Sequence, residues 1–378
     1  MIDTHKLQTL FAVHFGGEGI AFFAPGRINL IGEHTDYNGG FVFPGAVDCG
    51  ITAVIRPNGT SRVNLYAADL KRECGFNINN DQMPEDIHFR YVYGMVREMQ
   101  AVGILVGGFD AVYGGDVPLG AGMSSSAALE CCFATAINEL FGDNRLDKMT
   151  LARIAQATEH KYVGVMCGIM DQFASMHGRE GALMRLDCRS GEYEYFPWNP
   201  QGYRLVLVNS CVKHELVGSP YNDRRLSCER VARLAGVETL RDCSWHQLDA
   251  LSPLLSDEDY RRARYVLGET DRVLSICDAL QASDYEEVGR QMYLTHEGLS
   301  KDYEVSCEEL DFLVDAARHC GVSGSRIMGG GFGGCTINLV KEGLYNSFVE
   351  RITESYHEHF GVDSKVIPVV IGAGARKL

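Results

Sequence analysis

A short glycine- and serine-rich segment, residues 118–128, most constrains the fold of this chain. It reads Pro-Leu-Gly-Ala-Gly-Met-Ser-Ser-Ser-Ala-Ala. The residues before it, Gly108–Tyr113, are typical of a short strand, and Ala127–Phe141 are typical of a buried helix. Glycines let backbone amides crowd around a ligand, and the first amides of a helix have no partner within it. The segment therefore predicts either an anion site at a helix start or an ordinary serine N-cap after a turn.

The common nucleotide-binding patterns do not fit. No Gly-Lys pair exists for a P-loop, and the His-Arg-Asp and Asp-Phe-Gly of protein kinases are missing. Residues 329–334 match Gly-x-Gly-x-x-Gly, but residues 335–340 alternate like a strand, whereas a dinucleotide fingerprint opens a helix. A nucleotide site here must be of a different design. The glycine array Met328–Gly334 itself allows either close backbone approach to a ligand or a tight turn.

Composition excludes several classes of protein. The net charge of −15 disfavours nucleic acid or an anionic membrane as a partner. The N-terminus has no signal pattern, and no apolar run approaches a membrane span. Thirteen cysteines without a Cys-x-x-Cys pair favour free thiols in a reducing cytoplasm.

With 378 residues, the chain exceeds one simple core, so we expect two domains, residues 1–198 and 199–378, with the site between them. The predicted strands are Ile20–Ala24, Phe41–Val47, Ile51–Arg56, Ser61–Tyr66, Gly108–Tyr113 and Tyr203–Val208. The predicted helices are Asp86–Ala101, Ser126–Phe141 and Thr150–Tyr162, with mainly helical segments over 223–317 and a strand–helix–strand finish over 335–371. This mixture predicts an α+β fold.

A polar cluster follows the first predicted strand, over residues 24–40. It brings together Arg27, Glu33, His34, Asp36 and several amide or hydroxyl groups, with glycines between them. Carboxylates that accept from neighbouring hydroxyls, beside oriented donors, are what a hydroxyl-rich ligand needs. The alternative is a solvated polar hairpin, since Asn38-Gly39 is a strong turn signal.

Three further side chains are candidates. Glu159 falls on or beside an apolar helix stripe, where a cation such as magnesium would offset the cost of a buried carboxylate; an ion pair at the edge of the helix is the alternative. Asp171 is of interest only if Arg27 reaches it, and is otherwise a helix cap or a surface group. Tyr221 lies beside a predicted helix start. It either presents its hydroxyl to a ligand or has only a packing role within the protein.

These segments resemble the galactokinase family, within the superfamily of galacto-, homoserine, mevalonate and phosphomevalonate (GHMP) kinases. Residues 26–38 are similar to the galactokinase signature, 118–127 to the ATP-phosphate motif and 329–334 to the third superfamily motif. The similarity runs from about Ala24 to Thr336. One departure is Met123, where leucine is usual, and a swap of similar volume should be mild.

The resemblance implies a two-domain GHMP kinase fold: an N-terminal mixed-sheet domain like the second domain of ribosomal protein S5, and a C-terminal ferredoxin-like α+β domain. It implies transfer of the ATP γ-phosphate to the anomeric hydroxyl of galactose, giving galactose 1-phosphate and ADP, the first committed step of the Leloir pathway. Magnesium would be the cofactor and ATP the co-substrate of a cytoplasmic monomer.

The resemblance also implies a role for each matching position. Asp171 would be the catalytic base and Arg27 the cation beside it. The sugar would be held by Glu33, His34, Thr35, Asp36 and Tyr221. The ATP phosphates would be wrapped by Gly120, Ala121, Gly122, Met123, Ser124, Ser125 and Ser126. Ser126 and Glu159 would bind the metal.

Two alternatives remain open. A sister kinase acting on N-acetylgalactosamine or another galactose-like sugar would use the same loops. A catalytically silent galactose sensor is expected to have a damaged phosphate loop or base, whereas both motifs are intact here. Galactose differs from glucose at the axial 4-hydroxyl, and Asp36 is the candidate acceptor for it.

Overall fold

The computed structural model describes residues 4–118, 120–212 and 220–378. The α-helices of this part are α1 (Thr4–Phe15), α2 (Ile87–Ala101), α3 (Ser125–Gly142), α4 (Lys148–Thr158), α5 (Met170–His177), α6 (Pro220–Ala235), α7 (Trp245–Leu251), α8 (Asp257–Gln281), α9 (Tyr285–Lys301), α10 (Glu308–His319) and α11 (Tyr345–Phe360). The strands are β1 (Ile20–Asn29), β2 (Phe41–Val42), β3 (Pro44–Pro57), β4 (Arg62–Ala67), β5 (Arg72–Asn77), β6 (Phe109–Gly115), β7 (Ala182–Asp187), β8 (Tyr193–Pro197), β9 (Tyr203–Asn209), β10 (Gly324–Ile327), β11 (Cys335–Lys341), β12 (Lys365–Pro368) and β13 (Arg376–Lys377).

The first half of the chain is built on a six-stranded sheet in the order β13-β1-β3-β6-β4-β5. Only the β4–β6 pair is parallel, so the sheet is mixed. Helices α2, α3 and α4 pack on it through apolar residues such as Phe22, Val96, Phe133 and Leu151. β1 is buried on both faces over almost its whole length. Because Arg27 lies near the C-terminal end of this buried strand, its backbone is held in place.

The second half contains an antiparallel sheet in the order β10-β11-β9-β12, flanked by the long helices. A third sheet, β2-β7-β8, is formed by strands of the first half. One apolar core joins the two halves, because Leu30 and Phe43 cluster with Leu207, Val273 and Ile337. This arrangement confirms the predicted α+β class.

Two predicted strands, Phe41–Val47 and Ile51–Arg56, were wrong in their bounds. β3 runs without interruption from Pro44 to Pro57, and only the short β2 precedes it. Gly50, which lies between the two predicted ranges, lets β1 and β3 approach closely. A Cβ atom there would lie 2.1 Å from the carbonyl oxygen of Ala24.

The predicted helix Thr150–Tyr162 also differs. α4 starts earlier, where Asp147 accepts a hydrogen bond from the amide of Thr150 at 2.8 Å, and it ends at Thr158. Residues Glu159–Val163 form a π-helical turn, and Gly164, with a φ of +87°, ends it. Single π turns within helices occur often at functional sites.

The thirteen cysteines all lie in the described part of the chain and are free thiols. Within that part, no helix is both long and apolar enough to cross a membrane.

Candidate active site

A cavity of about 280 Å³ opens between the two halves of the chain. Sequence-predicted site residues that line it are Arg27, Glu33, His34, Asp36, Gly120, Ala121, Gly122, Met123, Ser124, Ser125, Ser126, Glu159, Asp171 and Tyr221. The second half contributes Tyr221, Gly329 and Gly330 to its wall. The fold therefore brings four separated motifs to one cleft.

Arg27 and Asp171 form a bidentate ion pair at the centre of the cavity. Nε of Arg27 donates to Oδ1 of Asp171 at 2.7 Å, and Nη2 donates to Oδ2 at 3.0 Å. The guanidinium also donates through Nη1 to the carbonyl oxygen of Gly122, and the hydroxyl of Ser124 donates to Oδ2 of Asp171. The Asp171 side chain keeps 27% of its surface exposed, so a ligand can reach it.

The charges around Arg27 keep it cationic. Burial lowers the pKa of its guanidinium, but the charges of Asp171, Glu33 and Asp36, together with the hydrogen bond to Asp171, outweigh burial and raise the pKa above its usual value. Arg27 therefore offers a permanent positive charge in the cleft.

The serine-led start of α3 faces the same cleft. Ser124 adopts a left-handed conformation, with φ of +55°, just before the helix begins at Ser125. Gly120 and Gly122 have φ values of +72° and +65°, which let the loop turn tightly in front of the helix. An 18-residue helix thus directs its unpaired amides and the positive end of its dipole into the cavity, which suits an anion.

Ser126 and Glu159 lie together on the wall of the cavity. Burial raises the pKa of Glu159, whereas hydrogen bonds from Ser126 and Cys167 act in the opposite direction. Glu159 starts the π-helical turn, and this turn sets its carboxylate against the start of α3. One carboxylate and one hydroxyl on the wall of a cavity fit Mg²⁺, which binds oxygen ligands and usually takes only one or two of them from protein side chains. The described residues contain no cluster of three or more His, Cys, Asp or Glu side chains suited to a metal.

The polar segment after β1 is a tight loop with a short 3₁₀ turn, Asp36–Asn38, rather than a solvated hairpin. Glu33, His34, Thr35 and Asn38 are buried, and Asp36 and Tyr37 are half-buried. Oε1 of Glu33 accepts hydrogen bonds from Nη1 of Arg326 at 3.1 Å and from the amide of Gly329 at 2.8 Å. Burial, and then the charge of Asp171, raise the pKa of Asp36 to about 7.

Two residues of this loop, Thr35 and His34, have hydrogen-bonding partners within the protein. The hydroxyl of Thr35 lies 2.9 Å from the carbonyl oxygen of Gly32 and 2.6 Å from that of Phe41, and Thr35 is not among the described residues lining the cavity. His34 lines the cavity, but Nδ1 lies 2.7 Å from the Tyr37 hydroxyl and Nε2 lies 3.2 Å from the Gly330 carbonyl oxygen. The hydroxyl of Thr35 thus ties the loop together, and the ring of His34 is held by its neighbours.

The electrostatics of His34 follow from this burial. Burial lowers its pKa to about 3, so the ring is neutral at physiological pH. The ring of Tyr221 lies beside it, with centroids 5.2 Å apart. Tyr221 belongs to α6, and its hydroxyl stays protonated because burial raises its pKa well above the usual value.

The glycine array closes the cleft from the second half. A Cβ atom on Gly331 would lie 2.2 Å from the carbonyl oxygen of Val305, and one on Gly334 would lie 3.3 Å from that of Gly120. The array thus packs directly against the loop Gly120–Ser126. Gly329, Gly331, Gly333 and Gly334 also have positive φ values, so the segment combines a tight turn with close approach to the neighbouring backbone.

Sequence reasoning missed several residues of the site. Tyr91, Val165, Cys167 and Gly168 line the cavity, and Arg326 supports Glu33 from outside it. Tyr91 and Val165 look like ordinary core residues in the sequence. Arg326 precedes the first glycine of the array, Gly329, by three positions, and that proximity was the only available signal.

Family models and known proteins agree with this site. The galactokinase galactose-binding signature matches residues 9–57, the GHMP kinases N terminal domain matches residues 90–179, and the GHMP kinases C terminal model matches residues 276–358. Galactokinase of Bacillus subtilis is 39% identical over 386 residues, covering 99% of this chain and 98% of that protein. Galactokinase of Bos taurus is 41% identical over 362 residues, covering 93% and 92%.

Solved structures give the same result. The crystal structure of Lactococcus lactis galactokinase complexed with galactose superposes with a TM-score of 0.94 at 33% identity, covering 99% of this chain and all (100%) of that one. The Methanococcus jannaschii mevalonate kinase, at 18% identity and a TM-score of 0.68, shares the fold. The two-domain fold and the cleft define a GHMP kinase, an ATP-dependent enzyme. Within that class, the chain belongs to the galactokinase family.

Proposed function

We propose that this enzyme transfers the γ-phosphate of ATP to the anomeric hydroxyl of galactose, giving galactose 1-phosphate and ADP. The Arg27–Asp171 fork carries the proposal, because it lies between the buried polar loop and the anion-seeking start of α3. The galactose bound in the L. lactis relative, whose fold is so close, supports the choice of sugar.

The residues of the cleft have distinct roles in this reaction. Asp171 accepts the proton of the anomeric hydroxyl, and Arg27 holds its carboxylate in one orientation. A guanidinium has five N–H groups, of which Arg27 uses three within the protein, so two remain for an oxygen of the transferring phosphoryl group. The loop Gly120–Ser126 and the amides at the start of α3 hold the other phosphates. Positioning and charge neutralisation supply most of the acceleration in phosphoryl transfer.

Magnesium is part of the proposal. Ser126 and Glu159 would hold it, since their oxygens meet at the wall of the cavity. When bound, the ion would neutralise charge on the phosphates of ATP.

The sugar is held by side chains with different duties. Glu33 and Asp36 accept hydrogen bonds from hydroxyls, and Tyr221 donates or accepts one. His34 presents a neutral ring, already fixed by Tyr37 and the Gly330 carbonyl, so it reaches a hydroxyl only by exchanging one of these bonds. Thr35 contributes by tying the loop into its bend.

The test is an ADP-release assay with galactose, glucose, N-acetylgalactosamine and mevalonate, each with and without magnesium. Magnesium-dependent release with galactose, and far less with glucose, is the expected result. Activity on N-acetylgalactosamine in place of galactose would reassign the sugar, and activity on mevalonate alone would reject the proposal.

We further propose that residues 1–198 and 199–378 are the two domains and that the enzyme works as a cytoplasmic monomer. Every strand of the first and third sheets except β13 lies before residue 198, which supports the division. The free thiols support a reducing compartment. Light scattering of the purified enzyme tests the monomer.

A further inference from the structure

A fully buried arginine, Arg326, packs against the polar loop that follows β1. The side chain of Arg326, on β10, is 0% exposed. Its Nε donates to the carbonyl oxygen of Leu30 at 2.9 Å, and its Nη atoms donate to the carbonyls of Asn29 and Ile327 and to the carboxylate of Glu33. A buried guanidinium is costly unless each part of it is bonded, and here all three nitrogens have acceptors.

The two oxygens of the Glu33 carboxylate have different surroundings. Oε1 accepts from Nη1 of Arg326 at 3.1 Å and from the amide of Gly329 at 2.8 Å. Within the described part of the chain, no donor is bonded to Oε2. Because Glu33 lines the cavity, its unbonded oxygen is the one left for a ligand.

Arg326 acts from outside the cavity. It is not among the described residues that line it, so any effect on a ligand passes through Glu33. Its bonds to the carbonyls of Asn29 and Leu30 also fix the end of β1, from which the loop to Glu33 departs. A planar fork can make these contacts together, whereas the single nitrogen of a lysine cannot.

We propose that Arg326 is a positioning residue for sugar binding: with the amide of Gly329, it holds Oε1 of Glu33 so that Oε2 faces a sugar hydroxyl. The inference rests on the proposed role of Glu33 in binding galactose. It assigns the residue that precedes the glycine array to the sugar side of the site rather than to the phosphate side.

The test is a double-mutant cycle with Arg326→Lys and Glu33→Gln, measuring kcat and the KM values for galactose and ATP. Arg326→Lys should raise the KM for galactose about tenfold or more, the scale of one charge-assisted hydrogen bond, and leave the KM for ATP within about twofold. The double variant should bind galactose no worse than Glu33→Gln, because both changes remove the same interaction. Additive effects, or an equal rise in both KM values, would overturn the proposal.

Thr295→Val is the structural control. Thr295 donates to Oε2 of Glu269 at 2.8 Å, and Oε1 of Glu269 accepts from the amide of Gly32 at 2.8 Å, so this buried tie anchors the same loop without touching Glu33. The control should lower the melting temperature and leave the KM for galactose unchanged. A rise in this KM as large as that of Arg326→Lys would mean general loosening and would reject the positioning role.

Glu33→Asp keeps the proposal testable if Arg326→Lys does not fold. It retains the charge but withdraws the carboxylate from Arg326 and Gly329, so the KM for galactose should rise as in Glu33→Gln; a wild-type value would overturn the proposal. Galactose-dependent ADP release by the wild type tests the proposed function separately. If the wild type releases no ADP with galactose, the proposed substrate is rejected. If the wild type is active but the effects of Arg326→Lys and Glu33→Gln on the KM for galactose are additive, only the role of Arg326 is rejected.

Discussion

Arg27 and Asp171, 144 positions apart in the sequence, meet through two parallel hydrogen bonds of 2.7 and 3.0 Å. The pair is held from both ends, since Arg27 also bonds to the carbonyl of Gly122 and Asp171 accepts from Ser124. The loop Gly120–Ser126, Arg27 and Asp171 are thus one connected unit.

Arg27→Lys should lower kcat about 10- to 100-fold, because lysine keeps the charge but loses the fork that orients Asp171. Steady-state kinetics with galactose and ATP measure the effect. The matched control is Arg272→Lys, which changes a partly buried arginine paired with Glu269 at 2.7 Å, away from the cavity, and should leave kcat nearly unchanged. Equal kcat values for the wild type and Arg27→Lys would show that the fork is unimportant.

The kcat/KM for galactose should fall as the pH drops below about 7. Burial and the charge of Asp171 raise the pKa of Asp36 to about 7, and the protonated carboxyl has lost acceptor capacity for sugar hydroxyls. The expected slope is about tenfold per pH unit on the acid side. In Asp36→Asn, kcat/KM for galactose should be lower than in the wild type, and its decrease below pH 7 should disappear. Persistence of the same decrease in the variant would assign it to another group.

Gly168→Ala should raise the KM for galactose about tenfold or more and spare the KM for ATP. A Cβ atom on Gly168 would lie 1.8 Å from Oδ2 of Asp36, so the carboxylate would have to move. Gly343→Ala is the control, since a Cβ atom there meets nothing within 4 Å and neither glycine has a positive φ. An unchanged KM in Gly168→Ala would show that Asp36 does not need its place against this backbone.

Glu130→Gln should stabilise the protein more at pH 8 than at pH 5. The Oε1 atoms of Glu130 and Gln172 are buried without partners in the described part, while Nε2 of Gln172 lies 3.3 Å from Oε2 of Glu130. Burial, and then the charge of Glu159, raise the pKa of Glu130 well above its usual value. A protonated Glu130 would donate to Gln172 and satisfy both orphan atoms.

The sign of this pH effect follows from linkage. A carboxyl whose pKa is higher in the folded than in the unfolded state destabilises the fold as the pH rises above the unfolded value. Glutamine removes that penalty, so its gain in melting temperature should grow with pH. Glu180→Gln, at an exposed position, is the control. A gain in melting temperature that does not change with pH in Glu130→Gln would contradict the proposal that Glu130 is protonated in the folded protein.

Local sequence signals predicted the parts of the site that depend on local physics. The serine-led start of α3 and the apolar segment behind it were recognisable because helix caps and apolar runs are properties of neighbouring residues. Glu159 was found for a similar reason, since a carboxylate on an apolar stripe conflicts with its surroundings. The resemblance to a family then linked these motifs into one cleft.

Tertiary pairing explains what could not be predicted. The partner of Glu33, Arg326, lies 293 positions away. The local sequence around either residue does not indicate that the two form an ion pair. The strand β3 continues through Gly50 because β1 comes close there, which a glycine in isolation cannot reveal. Thr35 was predicted to bind the sugar because it belongs to the polar signature. The sequence did not reveal that its hydroxyl lies within hydrogen-bond distance of the carbonyls of Gly32 and Phe41.

The most direct test of the account is kcat for Asp171→Asn with galactose and ATP. Galactose binding measured by calorimetry and the melting temperature show that the variant is intact, and Asp302→Asn, which changes the exposed ion pair with Arg264, is the control. The expected loss is at least about 100-fold in kcat, with the sugar still bound. A variant that turns over at nearly the wild-type rate would contradict it.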